Sequence, residues 1–388
     1  MQSIYLDNSA TTPLCPEAIS AMTESMATFG NPSSLHGVGQ AAHALLNRAR
    51  GQVGVALGVK AVKPSELVFT SCGTEASALA IYGTIYAKSR RFGNRIVTTD
   101  CEHPSVEEAM KRLEADGLEV VRISTKGGVL DTEAAIAALE KPTVLVSMMM
   151  VNNETGAHFD VAKVFAAAKA KDSRTVTHCD AVQGFLKVPF TPAAIHADLV
   201  TVSAHKIHGP KGVGALYIHP DIIKTKRIVP YLPGGGQESG LRSGTENTVG
   251  ICGFGAAVQA GFVTRARDCA HMTALRDRLE GKLRDMGVQV NIPAGNRAPH
   301  VLNLTLPDIK SQTMLNFLSA KGICVSSGSA CSSHSTHVSP SLAAFGLSAH
   351  EADCSLRVSL SARNTEAEVD ALCEALEQGI GTLVRIRR

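Results

Sequence analysis

The sequence predicts an α/β protein, with a large domain on a largely parallel sheet and a smaller α+β domain after it. Three observations predict this. From about residue 65 to 220, short β-branched runs alternate with helical patterns, as when parallel strands are joined by crossover helices. A Gly-rich hinge, Pro233-Gly234-Gly235-Gly236-Gln237, then breaks the alternation. Beyond it, the Ala-rich stretch from Thr248 to about Met286 reads as long helices, followed by short strands and helices. A chain of 388 residues suits this plan, at roughly 150 residues per domain. The expected boundaries are 15–255 for the large domain, and 1–14 with 256–388 for the small one.

The expected strands of the large domain are Leu67–Thr70, Arg95–Thr99, Glu119–Ile123, Thr143–Val151, Thr175–Cys179 and Leu199–Ser203. Each is short and rich in β-branched residues, which suit a pleated surface. Between them, Glu75–Ala87, Ser105–Ala115, Thr132–Leu139 and Val161–Ala170 have helical patterning. In the second part Val288–Asn291, Val301–Thr305, Ile323–Val325 and Ser355–Ser359 read as strands, with helices near Gln312–Ala320 and Thr365–Ile380.

Composition excludes several function classes. The net charge of +3 comes from 38 basic and 35 acidic side chains mixed along the chain, so no basic face for nucleic acid is expected. The apolar run from Val144 to Val151 is interrupted by Ser147 and is far too short to span a membrane. The opening residues, Met1 to Asn8, have neither the charged start nor the long apolar core of a signal peptide. A cytoplasmic protein is expected. Its ten cysteines form no C-x-x-C pair, so they are expected as free thiols and mostly as small core residues.

The strand exits carry the chemistry. In open parallel sheets, ligands bind beyond the carboxyl ends of the strands. Here the strands run into Ser71-Cys72-Gly73-Thr74-Glu75, Asp100-Cys101-Glu102-His103, Asn152-Asn153-Glu154-Thr155-Gly156, Asp180-Ala181-Val182-Gln183-Gly184 and Ala204-His205-Lys206. Gly73 and Thr74 open a helix, where backbone N–H groups and a hydroxyl suit an anion, and Ser203 and His205 add donors. Neither nucleotide-binding glycine motif is present. Lys206 directly follows a strand, a setting in which an amine can lose solvation and act as a nucleophile. Asp180 supplies the anion that a protonated pyridine nitrogen requires. Phosphate donors, a lysine and a carboxylate together describe a pyridoxal 5′-phosphate site.

From these residues outward, the chain resembles the NifS/IscS-type cysteine desulfurases of the class V aminotransferase group. The resemblance runs nearly end to end, through Tyr5-Leu6-Asp7-Asn8-Ser9-Ala10-Thr11-Thr12, Gly30-Asn31-Pro32-Ser33-Ser34-Leu35-His36, Val151–Gly156, His178–Gln183 and Ser203–Lys206. It continues in Gly234–Glu238, Leu241–Thr245 and Ser326-Ser327-Gly328-Ser329-Ala330-Cys331. It implies a fold type I architecture with a largely parallel seven-stranded sheet. It also implies that Lys206 holds the cofactor as a Schiff base, Asp180 pairs with the ring nitrogen, Gln183 bonds the ring oxygen and His103 stacks on the ring and moves protons. Gly73, Thr74, Ser203 and His205 would hold the phosphate, joined by Thr245 from the second subunit of a homodimer. Asn153 and Arg357 would take the substrate carboxylate, Arg357 through its planar fork. The chain departs from the family pattern at Cys72, where glycine is usual, at Ala78, at Ser361 and in the segment from His337 to Leu342.

Residues 326–341 hold nine Ser or Thr in sixteen positions, with no helical or strand period. Long polar loops of this kind are usually functional or disordered. The resemblance makes Cys331 the nucleophile: its thiolate attacks the sulfur of L-cysteine, keeps it as a persulfide, releases L-alanine and passes the sulfur to an acceptor protein, such as an iron–sulfur scaffold. Selenocysteine lyase activity and a non-catalytic sulfur-relay subunit are the alternatives. Cys331, His334 and His337 form C-x-x-H-x-x-H, but three loop residues without a fourth ligand make a poor metal site, and none is expected.

Overall fold

A computed structural model describes residues 3–87, 91–327 and 339–386. The central sheet has seven strands: β1 (Leu67–Thr70), β2 (Arg95–Thr99), β3 (Glu119–Ile123), β4 (Thr143–Met149), β5 (Val176–Asp180), β6 (Leu199–Ser203) and β7 (Gly214–Ile218). They lie in the order β1-β7-β6-β5-β4-β2-β3. Only β7 runs against its neighbours, β1 and β6; the other adjacent pairs are parallel. The six expected strands therefore point the same way and end at one edge. The seventh, β7, lies within the apolar run Val213 to Ile218 and is missing from the sequence-derived set.

Strand ends differ by a few residues from expectation. Strand β4 stops at Met149 rather than Val151, and β5 runs one residue further, to Asp180. Strands β4 and β5 are buried along their whole length, as parallel strands covered by helices on both faces are. The helices between them begin where caps allow. His103 precedes Pro104, and Asp131 accepts from the backbone N–H of Ala134. Helices Pro16–Ser25 and Gly37–Ala56 are additional to the expected elements.

The stretch expected as long helices is one helix, Thr248–Asp285, of 38 residues. Its first part places Ile251, Phe254 and Val258 in the large core, where Phe254 meets Phe69 edge-on with ring centroids 6.3 Å apart. Its later turns place Met272, Leu275, Leu279 and Leu283 in a second core with Leu304, Leu356 and Leu372. The helix is long and apolar enough to cross a membrane by length and composition, but those apolar side chains are already buried in protein. The second core also contains a three-stranded antiparallel sheet of Gln289–Val290, Val301–Thr305 and Ser355–Ser359. Ile4–Tyr5 pairs in parallel with Ile323–Cys324. The chain then runs back to the large sheet, where Thr12 N–H donates to the His205 carbonyl. That return path lays residues 7–12 across the strand exits.

Candidate active site

A pocket of about 220 Å³ opens at the carboxyl edge of the sheet. Parallel strands bring their exits together there, so residues more than a hundred positions apart share one wall. Gly73, Thr74, His103, Asn153, Asp180, Gln183, Ser203, His205, Lys206 and Arg357 all line it, which is ten of the twelve residues singled out from the sequence.

One end is built for an anion. The helix Gly73–Tyr86 starts directly after β1, and Cys72 at its cap position makes no side-chain capping bond. The first-turn N–H groups thus remain available to a ligand. A side chain at Gly214 would approach the Cys72 backbone to 2.5 Å, so only glycine lets β7 pass this turn. The Ser203 hydroxyl is buried without a partner among the described residues, although such groups are normally satisfied. His205 Nδ1 lies 3.2 Å from Thr11 Oγ1. Burial, helped by Lys206, pulls His205 down to about 4, which leaves the ring neutral at pH 7.

The opposite wall carries proton chemistry. Lys206 sits in the single turn Ala204–Lys206 after β6, and its Nζ donates to the carbonyls of Ser9 at 2.6 Å and Ala10 at 2.8 Å. Asp180, at the end of β5, accepts from the Val182 N–H at 3.0 Å. Burial raises Asp180 to about 6, against the opposing effects of that N–H and of Lys206; it is still an anion at pH 7. His103 Nδ1 accepts from the Ser105 N–H at 3.1 Å, so the ring proton resides on Nε2. Burial first, and Lys206 second, lower His103 to about 4.

The third wall is the Arg357 guanidinium, only 1% exposed. Its Nη2 donates to Asp7 Oδ1 at 2.7 Å and its Nη1 to the Asn153 carbonyl at 3.1 Å, while Nε has no partner among the described residues. The donor set fits pyridoxal 5′-phosphate. An uncapped helix start with an orphaned hydroxyl suits the phosphate, a lysine amine suits the carbonyl carbon, and an anionic carboxylate suits the ring nitrogen.

Two expected residues stand apart. Thr245 is exposed and does not line this pocket. Cys331, with His334 and His337, lies outside the described residues. Sequence reasoning also missed several groups. Asp7 pairs with Arg357, and the Ser9 and Ala10 carbonyls hold Lys206. All three sit within the Tyr5–Thr12 motif, so the signal was present without a role. Cys72 and Ser105 line the pocket. Glu102, next to His103, is buried; its Oε1 accepts from Thr99 Oγ1 at 2.6 Å and from the Met149 N–H at 2.8 Å, and its Oε2 has no partner among the described residues.

Comparison with known proteins identifies the family and the fold. Residues 4–372 match the family described as aminotransferase class-V, whose members are generally dependent on pyridoxal phosphate. A cysteine desulfurase of Trichormus azollae is 39% identical over 382 residues, covering 97% of this chain and 93% of that protein. A solved NifS-like protein superposes with a TM-score of 0.90 at 35% identity, covering 98% of this chain and all of that one. The structure of SspA in complex with cysteine superposes with a TM-score of 0.78 at 30% identity, covering 93% of this chain and 99% of that one. The chain belongs to the aminotransferase class-V family, within its cysteine desulfurase branch.

Proposed function

We propose that the protein is a pyridoxal-phosphate-dependent cysteine desulfurase, converting L-cysteine to L-alanine and leaving a persulfide on Cys331 for transfer to an acceptor protein. The observation that carries this reading is the Ser203 hydroxyl, buried and unpartnered beside an uncapped helix start, in the same pocket as Lys206 and Asp180. Gly73, Thr74, Ser203 and His205 would hold the phosphate, and Lys206 would hold the carbonyl carbon. Asp180 would face the ring nitrogen and keep it protonated. Gln183 would face the ring oxygen and His103 the ring plane. When bound, the cofactor supplies an electron sink that acidifies the substrate's Cα proton.

Arg357, beside Asn153, anchors the substrate carboxylate and aims its Cα at Lys206. Displaced from the carbonyl carbon by the substrate's amino group, the freed Lys206 amine would take the Cα proton. The Cys331 thiolate attacks the substrate sulfur; the S–Cβ bond breaks, and the sulfur stays on Cys331 as a persulfide. His103, neutral and carrying its proton on Nε2, moves protons to the departing three-carbon unit.

A homodimer belongs to this reading. Thr245 is exposed and does not line its own pocket, and a groove of about 460 Å³ runs nearby past Pro32, Leu35, Gln237 and Glu246. Leu35 is 90% exposed and Phe29 86%, apolar surface that a second copy would cover. A second copy seated there would bring its Thr245 toward this phosphate site. The nine described cysteines are all free thiols, which supports a reducing, cytoplasmic setting.

The test is to incubate the protein with L-cysteine and a reductant and to measure alanine and sulfide. The bound cofactor should show a band near roughly 400 nm that borohydride bleaches. Cys331→Ser should keep the band and lose sulfide release. Undiminished turnover in that variant would overturn the mechanism.

A further inference from the structure

The Gln183 carboxamide is held from three sides. Its Nε2 donates to the Ser9 carbonyl at 3.0 Å. Its Oε1 accepts from His300 Nε2 at 3.1 Å and from Lys187 Nζ at 3.4 Å. Turning the amide over would set its NH₂ group against two donors, so these contacts fix which way it faces. His300 is fully buried, its Nδ1 has no partner among the described residues, and burial holds it well below the usual histidine range. It is a neutral ring that donates through Nε2.

Lys187 stands behind Gln183 and does not line the pocket. It follows Leu186, whose backbone is left-handed at φ 62°, and the Cys269 thiol donates to the Lys187 carbonyl at 3.2 Å. The ionisable groups facing it are Lys206, His205 and His208 from the turn after β6, His300, and Cys269 on the long helix. No carboxylate pairs with it among the described residues. A buried ammonium without a counter-ion is costly, and burial pulls Lys187 down to about 7. An anionic oxygen on the other face of Gln183 would complete this arrangement.

We propose that Lys187 and His300 are positioning residues for the cofactor: together they lock Gln183 with its N–H toward the ring oxygen, and Lys187 supplies the positive charge that stabilises that oxygen as an anion. The inference rests on the function proposed above. Lys187 acts through Gln183, and the two donors have separable effects. His300 contributes orientation only, whereas Lys187 contributes orientation and charge.

The test uses the full-length chain, stripped of cofactor and titrated with pyridoxal 5′-phosphate, reading the Kd and the pH midpoint of the bound cofactor's visible band. A nearby cation favours the more negative state of the bound chromophore, so Lys187→Met should raise the midpoint by about one pH unit and weaken binding about tenfold. Lys187→Gln keeps a donor without the charge; it should recover most of the affinity and leave the midpoint displaced. His300→Leu should weaken binding with the midpoint unmoved. A folded Lys187→Met protein with unchanged Kd and midpoint overturns the proposal, as does a His300→Leu midpoint displaced equally far. Should the Lys187 variants fail to fold, an unchanged Kd in His300→Leu overturns the clamp. A wild-type protein that gains no visible band overturns the proposed function instead.

Discussion

Arg357 donates to Asp7 at 2.7 Å across the contact between the chain's opening segment and the last strand of the small sheet. The same guanidinium reaches the Asn153 carbonyl, so its orientation is set from two sides before any substrate arrives. A planar fork with five donors can keep these partners and still present an edge to a carboxylate. Lysine's three donors share one nitrogen, so it lacks the spread to reach Asp7, Asn153 and a substrate carboxylate together. Arg357→Lys should raise KM for L-cysteine by at least about tenfold, near 1.4 kcal/mol, with a smaller change in kcat. Initial rates over a range of cysteine concentrations check this; a KM within twofold of wild type would remove Arg357 from substrate binding.

Arg50 and Glu238 form a second buried ion pair, with two contacts of 2.9 Å. Glu238 also accepts the Phe69 N–H at 2.8 Å, and the Arg50 guanidinium lies 4.8 Å from the centroid of the Phe69 ring. The pair ties the Gly-rich hinge to β1, with the backbone at Glu238 held at φ 47°. Removing one partner strands a buried charge. Arg50→Met should cost about 3–5 kcal/mol, and the double variant Arg50→Met/Glu238→Gln should be more stable than Arg50→Met alone. Denaturant unfolding of the three proteins decides it; a double variant no better than the single one would mean the charge pairing contributes little.

His103 is neutral at working pH because burial and Lys206 both disfavour its cation. Its Nδ1 is occupied by Ser105, so any proton it transfers must leave from Nε2. His103→Ala should lower kcat by about 10²-fold or more while the cofactor band remains. The kcat–pH profile of the wild type should show no histidine inflection near pH 6.5 from this residue. An inflection there that disappears in His103→Ala would contradict the assignment.

The sheet and its polar exits were legible because both are local in sequence. Apolar runs such as Leu199–Ser203 mark strands, and parallel strands converge at their carboxyl ends whatever lies between them. What stayed hidden depends on tertiary contact. β7 is a short strand that reverses direction with no helical crossover before it to announce a βαβ unit. Thr248–Asp285 reads as helix, but its service to two cores shows only in packing. His300 gives no sequence sign of lying against Gln183, 117 positions away. Glu102 looks like an ordinary loop acid until the Met149 N–H is seen to close over it.

Glu102 also offers a pH test with a defined sign. Burial raises its carboxyl to about 8, so in the folded protein it is protonated at neutral pH, whereas in the unfolded chain it ionises near the usual 4.5. The folded state binds the extra proton between these values. Stability from this residue is therefore greatest at the acid end of that window and is lost as pH rises toward 8. Glu102→Gln keeps the oxygen that accepts from Thr99 and Met149 and removes the ionisation. The variant should match the wild type near pH 5 and gain on it as pH increases, by at least about 1.4 kcal/mol at pH 7. Thermal or urea unfolding of both proteins at pH 5 and pH 8 measures the difference; a constant offset between them would show that Glu102 is already charged in the native protein.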